Sequence, residues 1–278
     1  MSSNKKNINI IRILIYIFLG IGAIACLVPF YWMIITSLKI PSEVITYPPT
    51  WWPSKFAFEN YVTIFKKDNF FRYFYNSIVV ALVSVPLCLF TSSFAGFIFA
   101  KYDFRLKEFW FMLILSTMMI PFAVIMIPLY IEMSYLNLID KHLGIILRWC
   151  INPFGIFLMR QFIGGVPNSL MDSARIDGCS EFNIFTKIII PNIKPAISAL
   201  GILVFIWNWD DFLWPLLITN TSNSRTLPVG VAMFAGEWWT VYNLTMAGAV
   251  TLVIPLILVY LLFQRQFIQG IVLTGIKG

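Results

Sequence analysis

Three ionisable residues stand where the chain is otherwise apolar: Arg148 and the adjacent pair Asp210 and Asp211. Charges in such surroundings are costly and usually functional, and a carboxylate pair could bind and release a proton or cation as the chain moves. The same pair could equally lock two helices together. Other chemistry finds little to work with. The single histidine, His142, has no second histidine with which to hold a metal, and it reads as a solvated loop residue. Cys26, Cys88, Cys150 and Cys179 form no C-x-x-C pair and read as small core-filling residues. No G-x-x-x-x-G-K-S/T phosphate loop occurs, nor any nucleophile–base arrangement. Catalytic, metal-binding and cofactor-binding residues are therefore all assigned as none.

The elements that would position these residues are set by composition. Of 278 residues, 59% are hydrophobic and 12% charged, against roughly 45–50% and about 25% for soluble domains. A soluble chain of this length has too little interior to hide that much apolar surface. Disordered chains, nucleic-acid modules and ordinary soluble enzymes are excluded. An all-α integral membrane protein is expected, with the bilayer as its solvent.

A crossing helix needs about 20 apolar residues, and six stretches qualify: 12–36, 77–100, 109–131, 143–160, 197–218 and 246–264. The first is preceded by Lys5 and Lys6, like a signal peptide. Its apolar run continues from Leu27 to Ile35 past the would-be cleavage site, so an uncleaved span is expected. With the N-terminus in the cytoplasm, twelve Lys and Arg fall inside and seven outside, and the short loop 101–108 carries three of the twelve. Both termini are expected to be cytoplasmic. The chain then divides into an N-terminal segment 1–11, a six-span domain 12–264 and a tail 265–278.

Prolines at 29, 86, 121, 128, 153, 215 and 255 punctuate the spans and invite kinks. The second span carries a ridge of small residues, Ser84, Cys88, Ser92, Gly96 and Ala100, where another helix can approach closely. Packing within the chain is preferred to a subunit interface there. The aromatic, Pro-rich loop 37–76 is expected to lie against the headgroup layer.

The most informative segment is the cytoplasmic loop 161–196, which reads as two short helices at a corner. Ser169 can cap the first, with Asp172 in capping-box position, and Gly178 can end it in the left-handed conformation. Ser180 or Cys179 opens the second, and Pro191 and Pro195 mark its end. The first helix is too short to be stable alone, so it must lie on something. Leu170, Ala174 and Asp177 run along one side, with Met171 and Arg175 beside them.

The run from Asp172 through Ser173, Ala174, Arg175, Ile176, Asp177 and Gly178 to Phe182, with Ile190-Pro191 beyond it, resembles the EAA loop of binding-protein-dependent ABC importer permeases. It is most similar to the smaller permease of carbohydrate-uptake systems, the maltose-permease type. Asp172 stands where the family has Glu, and Ser173 where it has the first Ala. The segment Trp207 to Pro215, the run Thr226 to Gly230 and the tail from Gln264 to Gly278 are similar to the family's as well.

The resemblance implies a type I importer permease fold in a bacterial-type cell membrane. It also implies a second homologous permease as heterodimer partner, two cytoplasmic ATPases that bind ATP and Mg, and an extracytoplasmic solute-binding protein. Coupling to the ATPase would fall to Leu170, Met171, Asp172, Ser173, Ala174, Arg175, Asp177, Gly178 and Pro191. Trp207, Asn208, Asp211 and Trp214 are the implied pore or substrate residues. An ion-coupled secondary transporter, using Asp210 and Asp211, is the alternative.

Overall fold

The computed structural model describes residues 3–66, 69–233 and 241–275, with side chains described from residue 12 to 264 of these. The expected cytoplasmic segment 1–11 and tail 265–278 therefore lie, as to side chains, outside the described residues. Every regular element among the described residues is helical. Two compact units are distinguished, residues 1–68 with 231–253, and residues 69–230 with 254–278.

The first unit holds α1 (Ser3–Ser37), α2 (Pro41–Val44) and α3 (Glu59–Lys66). Every side chain of α1 from Arg12 to Tyr31 is exposed, whereas Ile35, Thr36 and Ser37 are buried. Burial there is organised by Asn60, which donates to the Ser37 and Lys39 carbonyls at 2.8 and 2.9 Å and accepts from Asn243 at 2.9 Å. The loop that follows does more than lie flat. Lys39 is fully buried, with Nζ 2.5 Å from the Thr50 carbonyl and 4.5 Å from the Trp32 ring centroid, while Trp51 and Trp52 stay exposed.

The second unit is built on α4 (Phe70–Lys101), followed by α5 (Lys107–Ser116), α6 (Phe122–Tyr135), α7 (His142–Trp149) and α8 (Pro153–Gly164). The loop helices are α9 (Asn168–Ile176), α10 (Glu181–Ile184) and α11 (Ile190–Asn192), then come α12 (Lys194–Trp209) and α13 (Leu213–Ile218). Two further helices, α14 (Leu227–Met233) and α15 (Tyr242–Gly275), run on across the boundary between the units. The ridge on α4 packs inside the chain. A Cβ added to Gly96 would lie 2.6 Å from the Met159 Cβ and 2.9 Å from the Arg160 backbone nitrogen on α8. Cys88, Phe97, Met159, Ile163, Ile189, Leu200 and Val204 form the core between α4, α8 and α12.

Three expected spans are broken. The third stops at a short 3-10 turn and restarts after Pro121, with a bend of 103°. The fourth is interrupted between Trp149 and Pro153, where Asn152 caps α8 through Gly155 N–H at 3.0 Å. The fifth ends at Trp209 and resumes at Leu213. Prolines 29, 86, 128 and 255 sit inside helices, so they do not all break their spans. Among the described residues, four helical stretches, with α7 and α8 taken as one, are long and apolar enough to cross a membrane, or six if each bent pair counts as one crossing.

Candidate functional site

The loop after α8 folds as a corner of two helices whose ends are set by local chemistry. Pro167 is extended (φ −60°, ψ 135°) and α9 begins at Asn168, one residue before the expected Ser169 cap. No side chain caps this end. The Ser169 carbonyl instead accepts from Ser173 Oγ at 2.9 Å, and Asp172 turns to Arg175 NH1 at 2.9 Å, so the capping box does not form. Proline at the preceding position moves the helix start forward.

The far end of α9 follows expectation. Gly178 has φ +79°, its N–H reaches the Arg175 carbonyl at 3.0 Å, and Cys179 N–H reaches the Ala174 carbonyl at 2.9 Å. Those are the two hydrogen bonds of a Schellman end. Ser180 Oγ then accepts from Asn183 N–H at 3.3 Å and opens α10. Residues 185–189 form a wider π turn, in which Ile190 N–H reaches the Phe185 carbonyl. Pro191 is exposed just before the break at Ile193, where Glu181–Asn192 and Lys194–Trp209 meet at 82°. Pro195 lies in the first turn of α12 and starts that helix.

The expected face of α9 is divided. Met171 and Ala174 are 1% and 8% exposed and belong to the core with Ile163, Ile184 and Phe185. Leu170, Asp172, Ser173, Arg175, Ile176, Asp177 and Gly178 are exposed, and Ile176 is 86% so. Ala174 is therefore an anchor rather than part of the outward face. Arg175 ties the corner, with Nε and NH2 at 2.8 and 3.2 Å from the Glu181 carboxylate.

Two residues absent from the sequence reading of this site complete it. Tyr102 OH donates to Glu181, and Lys101 Nζ donates to the Val166 carbonyl at 2.5 Å and Asn168 Oδ1 at 2.8 Å. Hydrogen bonds from Arg175 and Tyr102 hold the Glu181 carboxyl below its ordinary range. Burial, and then the Glu181 carboxylate, push the Tyr102 hydroxyl up to about 12.

The second cluster lies at the break between α12 and α13. Asp211 accepts from Arg148 NH1 at 2.5 Å and from Trp149 Nε1 at 3.2 Å. The Arg148 guanidinium also lies 3.9 Å from the Phe122 ring centroid. Asp210 is exposed, so the two carboxylates are separated rather than shared. Trp214 is fully buried, with Nε1 3.1 Å from the Gly144 carbonyl and its ring edge-on to Phe122. Trp214 and Asp211 thus hold the break together instead of facing an opening. Trp207 is 40% exposed beside Phe154, and Asn208 is 7% exposed with neither amide atom hydrogen-bonded. His142 is half-buried at the start of α7 rather than solvated.

Residues 92–272 match the family described as binding-protein-dependent transport system inner membrane component. The arabinooligosaccharides transport system permease protein of Bacillus subtilis strain 168 is 35% identical, with 100% of both chains covered. The lactose transport system permease protein of Rhizobium radiobacter is 33% identical over 92% of this chain and 93% of its own. A crystal structure of a bacterial ABC transporter involved in import of the acidic polysaccharide alginate has the same fold, with a TM-score of 0.84 and 24% identity over 93% of this chain and 97% of that one. The chain belongs to the family of binding-protein-dependent transport system inner membrane components, the permeases of ABC importers.

Proposed function

We propose that this chain forms half of the translocation pore of an ATP-driven carbohydrate importer. Its partners in this reading are a second homologous permease, two cytoplasmic ATPases that hold ATP and Mg, and an extracytoplasmic binding protein that delivers the sugar. Both termini and the loop 161–196 face the cytoplasm of a bacterial-type cell. The observation that carries the reading is the split character of α9. One side is anchored in the chain's own core through Met171 and Ala174, and the other presents Leu170 and Ile176 outward. Exposed apolar side chains on a polar helix fit a cleft in another protein.

The carbohydrate assignment is supported by the named cargoes of the two relatives, arabinooligosaccharides and lactose. Trp207, 40% exposed, is the side chain best placed to touch it, with the unpaired amide of the buried Asn208 beside it. An exposed indole can stack on a sugar face, and a free amide can bond two hydroxyls.

The test is reconstitution with both permeases, the ATPases and the binding protein in vesicles. Uptake should require ATP and binding protein and should survive ionophores that collapse ion gradients. Uptake that vanishes with the ion gradient would establish the ion-coupled alternative. Cysteines placed at Asn137 and Ser222 should react from outside intact cells, and one at Lys107 should not.

A further inference from the structure

Two adjacent residues at the end of α4 grip α9 at both of its ends. Lys101 Nζ holds the entry, through the Val166 carbonyl and Asn168 Oδ1. Tyr102 OH holds the exit, through Glu181, which in turn is bonded to Arg175 and by it to Asp172. Tyr102 N–H still returns to the Ile98 carbonyl, so both grips grow from the last turn of a helix 32 residues long, about 48 Å.

Met171 and Ala174 hold α9 from beneath through apolar contacts, which are non-directional and tolerate sliding and rotation. Hydrogen bonds from a rigid helix end do not. We propose that Lys101 and Tyr102 are positioning residues that make α9 and α4 move as one body, so that displacement of α9 by the ATPase becomes displacement of α4. This rests on the reading that α9 docks on an ATPase.

The test uses the assembled transporter, both permeases with ATPases and binding protein, carrying Phe90→Cys on α4, with the exposed Cys26 and Cys179 changed to Ser. Phe90 is half-exposed and lies eleven residues before Lys101. The readout is the rate of thiol labelling at position 90 without nucleotide and after trapping with ATP and vanadate. With Lys101 and Tyr102 intact, trapping should change that rate by about fivefold or more. Tyr102→Phe and Lys101→Met should each trap nucleotide as before yet lose the change, and Lys101→Arg should keep it. The full change in both disabled variants, or no change in the parent, would overturn the proposal. A parallel cross-link from Ile176→Cys to the ATPase separates the two readings. If it forms, only the grip is in question; if it fails, the docking of α9 falls and the proposal with it.

Discussion

Arg148 and Asp211, 63 residues apart in sequence, meet at 2.5 Å, and each stands where a helix stops. Arg148 is in the last turn of α7, and Asp211 lies in the gap between α12 and α13. One ion pair thus spans two helix breaks, with side chains only 21% and 9% exposed. Removing one partner strands a desolvated charge, and Asp211→Ala is expected to cost about 3 kcal/mol or more. The double substitution Arg148→Met with Asp211→Leu should recover most of the loss. Thermal unfolding in detergent measures both, and an Asp211→Ala curve that overlays wild type would refute the claim.

Gly178 offers a separate test, because its strain is purely conformational. At φ +79°, with nothing within 4 Å of a new Cβ, Gly178→Val meets no steric neighbour and only a backbone penalty of about 1–2 kcal/mol. Relief of that penalty would open the corner that Arg175 and Glu181 close. Stimulation of ATPase activity by loaded binding protein should be lost in Gly178→Val and in Asp172→Lys, with membrane insertion unchanged. Gly178→Asn should retain most of it, since Asn tolerates this conformation. Full stimulation in Gly178→Val would mean that the corner angle does not matter.

At Gly96 the problem is space. The neighbour 2.9 Å from an added Cβ is backbone of α8, which cannot rotate away. Gly96→Ala should therefore destabilise by about 1–3 kcal/mol. By contrast Gly20→Ala and Gly22→Ala, with nothing within 4 Å, should not. Comparative melting of the three variants decides it.

Asp140 predicts a pH dependence. Burial pushes its carboxyl up, but hydrogen bonds from Ser224, from Thr221 through hydroxyl and N–H, and from Asn220 outweigh this and hold it at about 2, against an ordinary 3.8. A lowered folded-state pKa means stability that is fully present above the ordinary value and lost as pH falls toward 2. Asp140→Asn should melt lower than wild type by a constant margin from pH 5 to 8, and the margin should shrink as pH drops from about 4 to about 2. A margin that widens in acid would reverse the assignment.

What could be read in advance was what is local. Gly178 and Ser180 act within a few residues of themselves, so spacing was enough to place a left-handed end and a cap. The orientation of α9 was not local. Leu170, Met171, Ala174 and Ile176 leave apolar residues on both of its sides, and the side that turns inward is chosen by Ile163 and Phe185 beneath. Asp210 and Asp211 were equally ambiguous, because only the position of Arg148 tells the paired carboxylate from the exposed one. Lys101 looked like the charged edge of a span, and its partners and that of Tyr102 lie 65 to 79 residues away.

Nothing from Arg12 to Tyr31 is buried by the rest of the chain. Lipid alone can cover the apolar surface of this stretch, with no other helix of the chain needed for that. The folding of α4 to α13 need not wait on where α1 has gone.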